Sequence, residues 1–373
     1  MTSEFQYPIP VDQTRWTVNG RPDMCFSWSY DQHRESLLAL YEKSKRRQWD
    51  AALRLDWSQP VDETNPMGLD DASIPIFGMP IWKRLSEKEK GEIRIHSQAY
   101  MISQFMHGEQ GALIATARIV QSAPDLDAKF FAATQAMDEA RHLEVYSRFL
   151  RERFPVAYPI SAGLRGLLDN GLSDARWDMT YLTMQVLIEG LALAAFQRIR
   201  DMARNTLSAS LNAYVMQDEA RHVAFGRVAL RDYYRNLTDA ELDEREAFLI
   251  EGCHQMLQSC SQREVWEAFG LPLKECLGLE EQSESGRQFH TSLFSRIVPI
   301  VKGVGLWGPR VREAFEAMGV LEMADFDLDS QTRHDDEIAD RFDAEAYVER
   351  GLAAAPEPAG PRGEQTPTQA PRG

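Results

Sequence analysis

The sequence predicts an all-α protein, a four-helix bundle with additional flanking helices. Three observations carry this: long stretches of helical apolar periodicity bounded by caps and prolines, no sustained period-2 alternation, and no Asn-Gly hairpin between β-branched runs.

The elements follow in order. Residues 31–56 read as a first, flanking helix, and the Pro-, Gly- and Asp-rich stretch 58–82 reads as an ordered loop. Ser86-Glu-Lys-Glu89 forms a capping box that starts a long helix, which Pro124 breaks. A second bundle helix runs from near Asp125 to Pro155, a third over about 175–204 and a fourth over about 208–234. Thr238 caps a further helix reaching about Ser261, and another covers 283–304, where Pro299 is expected to kink or end it. The acidic stretch 325–343 is at most weakly helical. The expected organisation is therefore an N-terminal extension (1–85), the bundle domain (86–320), an acidic segment (321–351) and a disordered tail (352–373) with almost nothing to bury.

Composition narrows the function. Apolar residues make up 43% and charged residues 26%, ordinary values for a globular chain, with no apolar run expected to span a bilayer. The N-terminus lacks a secretory pattern, so a cytoplasmic location is the default. A net charge of −16 argues against nucleic acid, and only Lys43–Arg47 concentrates positive charge, as a solvated helix face or a dock for an acidic electron carrier. Cys25, Cys253, Cys260 and Cys276 lack metal-ligand spacing and read as reduced thiols.

The chemistry lies in a duplication. Asp-Glu-Ala-Arg-His occurs at 138–142 and again at 218–222, an offset of eighty residues. The same offset superimposes Glu109 on Glu189, together with Ala112/Ala192, Leu113/Leu193 and Arg118/Arg198. Each half thus offers a glutamate on one helix and, thirty residues on, a Glu-x-x-His on the next. Glu at i and His at i+3 share a helix face, so both can reach one point. Glu109, Glu139, His142, Glu189, Glu219 and His222 make up the donor set of di-iron and di-manganese carboxylate bundles.

Four carboxylates balance two divalent ions, and without cations their burial would be prohibitive. Carboxylate and imidazole donors suit iron or manganese. A third Glu-x-x-His, Glu251 to His254, lacks the Asp, the Arg and the upstream glutamate, and is set aside. A ligating histidine donates its other N–H to a carboxylate. Twofold symmetry assigns Asp218 to His142 and Asp138 to His222, with Arg141 and Arg221 pairing the buried aspartates.

With these motifs, the sequence resembles the ferritin-like superfamily, specifically its carboxylate-bridged di-iron oxygenases together with the small subunit of class I ribonucleotide reductase. The stretch Gly108–Ile119 and the DEARH copies are similar to helices in the hydroxylase subunits of soluble monooxygenases. The resemblance implies two iron ions, or a manganese/iron pair, and O₂ as co-substrate for oxidising an organic small molecule. It also implies an external electron donor, ferredoxin or reductase, because no nucleotide-binding G-x-G-x-x-G is present; a homodimer is left open.

Departures mark the subtype. Val215 stands where arylamine N-oxygenases carry a further histidine, which weighs against that reaction, and Leu193 stands where methane and toluene monooxygenases carry a threonine. Tyr146 occupies the offset of the reductase's radical tyrosine. A radical-generating or desaturase-like oxidase using Tyr146 is the alternative, with a ferroxidase further behind. Helix geometry nominates Phe105, Ala112, Leu193 and Gln197 for the substrate pocket.

Overall fold

The computed structural model describes residues 5–11, 15–20, 24–27, 30, 34–259 and 261–349. Among these the secondary structure is helical throughout. The elements that position the site are α1 (Glu35–Arg46), α2 (Glu87–Ser122), α3 (Leu126–Arg153), α4 (Trp177–Met202), α5 (Thr206–Tyr234), α6 (Asp239–Ser259), α7 (Glu284–Val304) and α8 (Leu328–Glu349).

Local chemistry sets the helix ends. Ser86 and Glu89 form the reciprocal capping box of α2, and Thr238 and Glu241 do the same for α6. Asp125 accepts from the Ala128 amide at the start of α3, and Asn205 from that of Ser208 at the start of α5. Short connections fold α2 against α3 and α4 against α5, and the two pairs meet along α3 and α5. α1 lies across α3 and α5, while α7 packs on α4 and α5.

Several elements differ from the sequence expectation. The first helix is not continuous to residue 56: it stops at Arg46 and restarts as Ala51–Arg54, where Asp50 caps the new turn. Pro299 lies inside α7 without ending it; Ile297, Val298, Ile300 and Val301 are all fully buried, so packing outweighs the one lost hydrogen bond. Helices at Ala162–Ser173, Arg263–Ala268, Leu273–Gln282 and Pro309–Ala317 were not expected. Ala162–Ser173 contains glycines of low helical propensity, yet it buries Leu164, Leu167, Leu168 and Leu172 on one face. The stretch read as a loop carries a short helix, Pro80–Arg84.

α4 corrects the expectation of no membrane-length apolar run, because Trp177–Met202 is long and apolar enough to cross a bilayer. Most of it is buried inside the protein, and it is the core helix of the bundle. Within it, Leu182–Ile188 is π-helical, immediately before Glu189. Such insertions re-aim the residues that follow, and no apolar periodicity announces them.

The acidic segment is a full helix, α8, and it explains the basic cluster. Lys43 pairs with Asp336, Arg47 with Asp340 and Arg54 with Asp343, at 3.1, 2.7 and 2.7 Å. Lys45 is paired with Glu42 on its own helix. The cluster is therefore neither a bare solvated face nor an open dock, since much of its charge is spent on the chain's own α8. Cys25 and Cys253 are free thiols and Cys276 is buried; Cys260 and the tail at 352–373 lie outside the described residues.

Candidate metal centre

Each bundle helix contributes to one buried cluster: Glu109 from α2, Glu139 and His142 from α3, Glu189 from α4, and Glu219 and His222 from α5. All six are at most 4% exposed. They form two overlapping groups, Glu109, Glu139, His142 and Glu219, and Glu139, Glu189, Glu219 and His222, each with its donor atoms within 4.8 Å of one another. Glu139 and Glu219 belong to both groups.

The imidazoles are oriented from behind. His142 Nε2 lies 3.1 Å from Asp218 Oδ2, and His222 Nε2 lies 3.2 Å from Asp138 Oδ2, so each aspartate serves the other half's histidine. The opposite nitrogens face the carboxylates: His142 Nδ1 is 3.0 Å from Glu219 and 3.3 Å from Glu109, and His222 Nδ1 is 3.2 Å from both Glu139 and Glu219. Arg141 bonds Asp138 and, at 3.0 Å, Asp218; Arg221 bonds Asp218 and lies 3.7 Å from Asp138. Two guanidinium groups thus neutralise two aspartates that water cannot reach.

Charge within the cluster is uneven. Burial pushes Glu109 up to about 8 and Glu189 well above the usual carboxylate range, with Glu219 adding repulsion at both. Burial opposes charge on Glu139 too, but His222 and His142 outweigh it and hold that carboxyl low. For both histidines burial is likewise outweighed, by Glu109 and Asp218 at His142 and by Glu139 and Glu219 at His222, and both are raised well above the imidazole range. Glu139 Oε2, His142 Nδ1 and Glu189 Oε2 are buried without a hydrogen-bond partner. Three orphaned donor atoms spread over the two groups, among four carboxylates, fit two metal cations.

Other predicted residues fall in two places. Tyr146 is fully buried; its hydroxyl donates to Asn212 Oδ1 at 3.1 Å, and its ring packs on Phe105 and Phe196 at 5.4 and 5.5 Å. Burial holds this phenol well above its ordinary range, with Glu109 and Glu219 contributing. Ala112 and Leu193 are buried in the core. Gln197 instead accepts from Arg296 at 2.8 Å and lines an outer cleft of 520 Å³ that none of the six cluster residues lines. Two turns beyond Glu189, the helix has carried it away from the cluster.

Three residues that touch the cluster or its aspartates escaped the sequence reading. Gln48 donates to Asp138 at 2.7 Å and Trp49 Nε1 to Asp218 at 2.8 Å, both from the break after α1. No local pattern could reveal them. Gln135, one turn before Glu139, donates at 2.9 Å to both Glu139 and Glu189; its spacing was the available signal. Trp49→Phe is expected to lower stability by about 2 kcal/mol, since a buried carboxylate loses one donor. Urea unfolding reads this, and an unchanged midpoint would show that Asp218 does not depend on the indole.

The comparison with curated proteins finds no match. Similar solved structures include variants of R2-like ligand-binding oxidase with an anaerobically reconstituted Mn/Fe cofactor. One is 18% identical with a TM-score of 0.47, covering 74% of this chain and 96% of that one. Another is 16% identical with a TM-score of 0.45, covering 75% and 97%. Residues 31–305 match the family model described as p-aminobenzoate N-oxygenase AurF. That span is most of the chain, which therefore belongs to the AurF family and is a ferritin-like di-iron oxidoreductase.

Proposed function

We propose that the protein is an O₂-dependent oxygenase that oxidises an organic small molecule, with Glu109, Glu139, His142, Glu189, Glu219 and His222 holding two iron ions. The observation that carries this reading is the sharing of Glu139 and Glu219 between two donor groups, which would hold two neighbouring cations. When bound, the metal pair supplies O₂ activation and the electrons for it, and an external ferredoxin or reductase restores those electrons.

The chain's own residues do the rest. Asp218 and Asp138 fix which imidazole nitrogen faces the carboxylates, and Arg141 and Arg221 pair with those aspartates. Tight burial keeps bulk water from the cluster. Phe105, Tyr146 and Phe196 supply an aromatic wall suited to an apolar or aromatic substrate.

The family match makes an arylamine nitrogen the first reacting atom to try. Val215, fully buried and apolar, offers no further imidazole, so six donors must suffice. The test is anaerobic loading with Fe(II), addition of O₂, and mass spectrometry of products from arylamines and alkylbenzenes. Oxygen-18 from O₂ is expected in the product; rapid O₂ uptake that yields only ferric mineral would sink the oxygenase reading. A second reading, a tyrosyl-radical generator, rests on the buried Tyr146 phenol, and a radical signal lost in Tyr146→Phe would favour it.

A further inference from the structure

The duplication is faithful at the six cluster residues and their aspartates and arginines, and broken at three positions one turn away. At the offset of eighty, Phe105, Gln135 and Tyr146 of the first half stand opposite Gln185, Val215 and Gly226 of the second. The contacts agree with that alignment. Phe105 packs on Tyr146, with ring centroids 5.4 Å apart, and Gln185 packs on Gly226, where an added Cβ would lie 2.4 Å from its own Cβ. One side of the centre is thus aromatic and the other carries carboxamides. Gly226 is required because Gln185, in the π-helical turn, fills the space that a side chain would need.

Gln135 is fully buried and its amide donates to two members of the second donor group, 2.9 Å from the shared Glu139 Oε1 and 2.9 Å from Glu189 Oε1, which belongs to that group only. An amide nitrogen has two protons, and both go to carboxylates here. Its carbonyl lies 3.5 Å from the Gln185 amide, which orients it. Glu189 is left with Oε2 buried and unpartnered. Glu109, its mate in the first half, has Val215 at the matching position and no such donor. Two buried carboxyl groups from different helices are therefore gathered by one amide.

We propose that Gln135 is a positioning residue that makes the two metal positions unequal: by holding Glu139 and Glu189 together it preassembles the group Glu139, Glu189, Glu219 and His222, which fills first. This rests on the reading of the cluster as a two-metal site. Preorganised ligands bind more tightly because less freedom is lost on binding.

The test is an anaerobic titration of the metal-free, full-length protein with iron-57 as Fe(II), followed by calorimetry and Mössbauer spectroscopy. In the wild type, two binding steps are expected, and one quadrupole doublet dominates at one equivalent. Gln135→Met, nearly isosteric, is expected to weaken the tighter step by about 10–100-fold. It leaves the other step within about threefold and lets both doublets grow together.

Gln185 hydrogen-bonds Gln135 and none of the six, and Gln185→Met is expected to weaken the same step to a smaller degree. It decides the matter if Gln135→Met does not fold by circular dichroism. The proposal is overturned if the variant that folds fills in the wild-type order with both constants unchanged, or loses both steps equally, as a general packing defect would. A wild-type protein that binds fewer than two ions would instead overturn the reading of the site itself.

Discussion

Glu139→Ala and Glu219→Ala are each expected to reduce metal content from two ions per chain to less than one, whereas Glu109→Ala and Glu189→Ala each retain about one. The difference follows from sharing. Glu139 and Glu219 lie in both donor groups, so one truncation takes a ligand from two positions at once. Glu109 and Glu189 each lie in only one group. A metal centre that supplies several kcal/mol of transition-state stabilisation takes about 10³-fold or more of the O₂-dependent rate with it. Metal analysis after anaerobic loading and gel filtration reads the first effect, and O₂ uptake the second. Two full ions in both the Glu139 and the Glu219 variant would exclude this ligand assignment.

The proximity of the six residues was legible because the sequence states it twice. A Glu-x-x-His occurs by chance in a chain this long, as Glu251 to His254 shows, but a second copy with its glutamate thirty residues upstream and its Asp and Arg in place does not. The bundle helices were legible for similar reasons: caps at Ser86, Asp125 and Thr238 and the break at Pro124 are local chemistry. What remained hidden depends on tertiary contact. Trp49 and Gln48 reach the aspartates only because the chain breaks between α1 and Ala51. The role of Lys43–Arg47 depends on α8, roughly 290 residues away, whose acidic face had no visible partner in the sequence. The π-helical turn before Glu189 leaves no periodic trace, and Gln135 was overlooked because its partners, unlike those of the aspartates, are not related by the repeat.

Loading the metal-free protein at pH 7 is expected to release about two or more protons per chain for two divalent ions. The count comes from which groups hold protons beforehand. His142 and His222 are held well above the ordinary imidazole range, because Glu109 at the one and Glu139 and Glu219 at the other outweigh the burial that would discharge them. Burial lifts Glu109 to about 8 and Glu189 well above the usual carboxylate range, so both hold a proton more tightly than a free carboxyl does. Glu139, held low, has no proton to lose. Ligation needs a bare Nδ1 on each imidazole and ionised carboxylates, while each Nε2–H stays with Asp218 or Asp138. The sign is then fixed: metal and protons compete, so apparent affinity rises with pH, and the proton yield falls as pH passes about 8 and Glu109 ionises unaided. An indicator dye in weak buffer, with Mn(II) to avoid oxidation, measures the release. Fewer than one proton per chain at full loading would mean that the six side chains are not the groups that take up the ions.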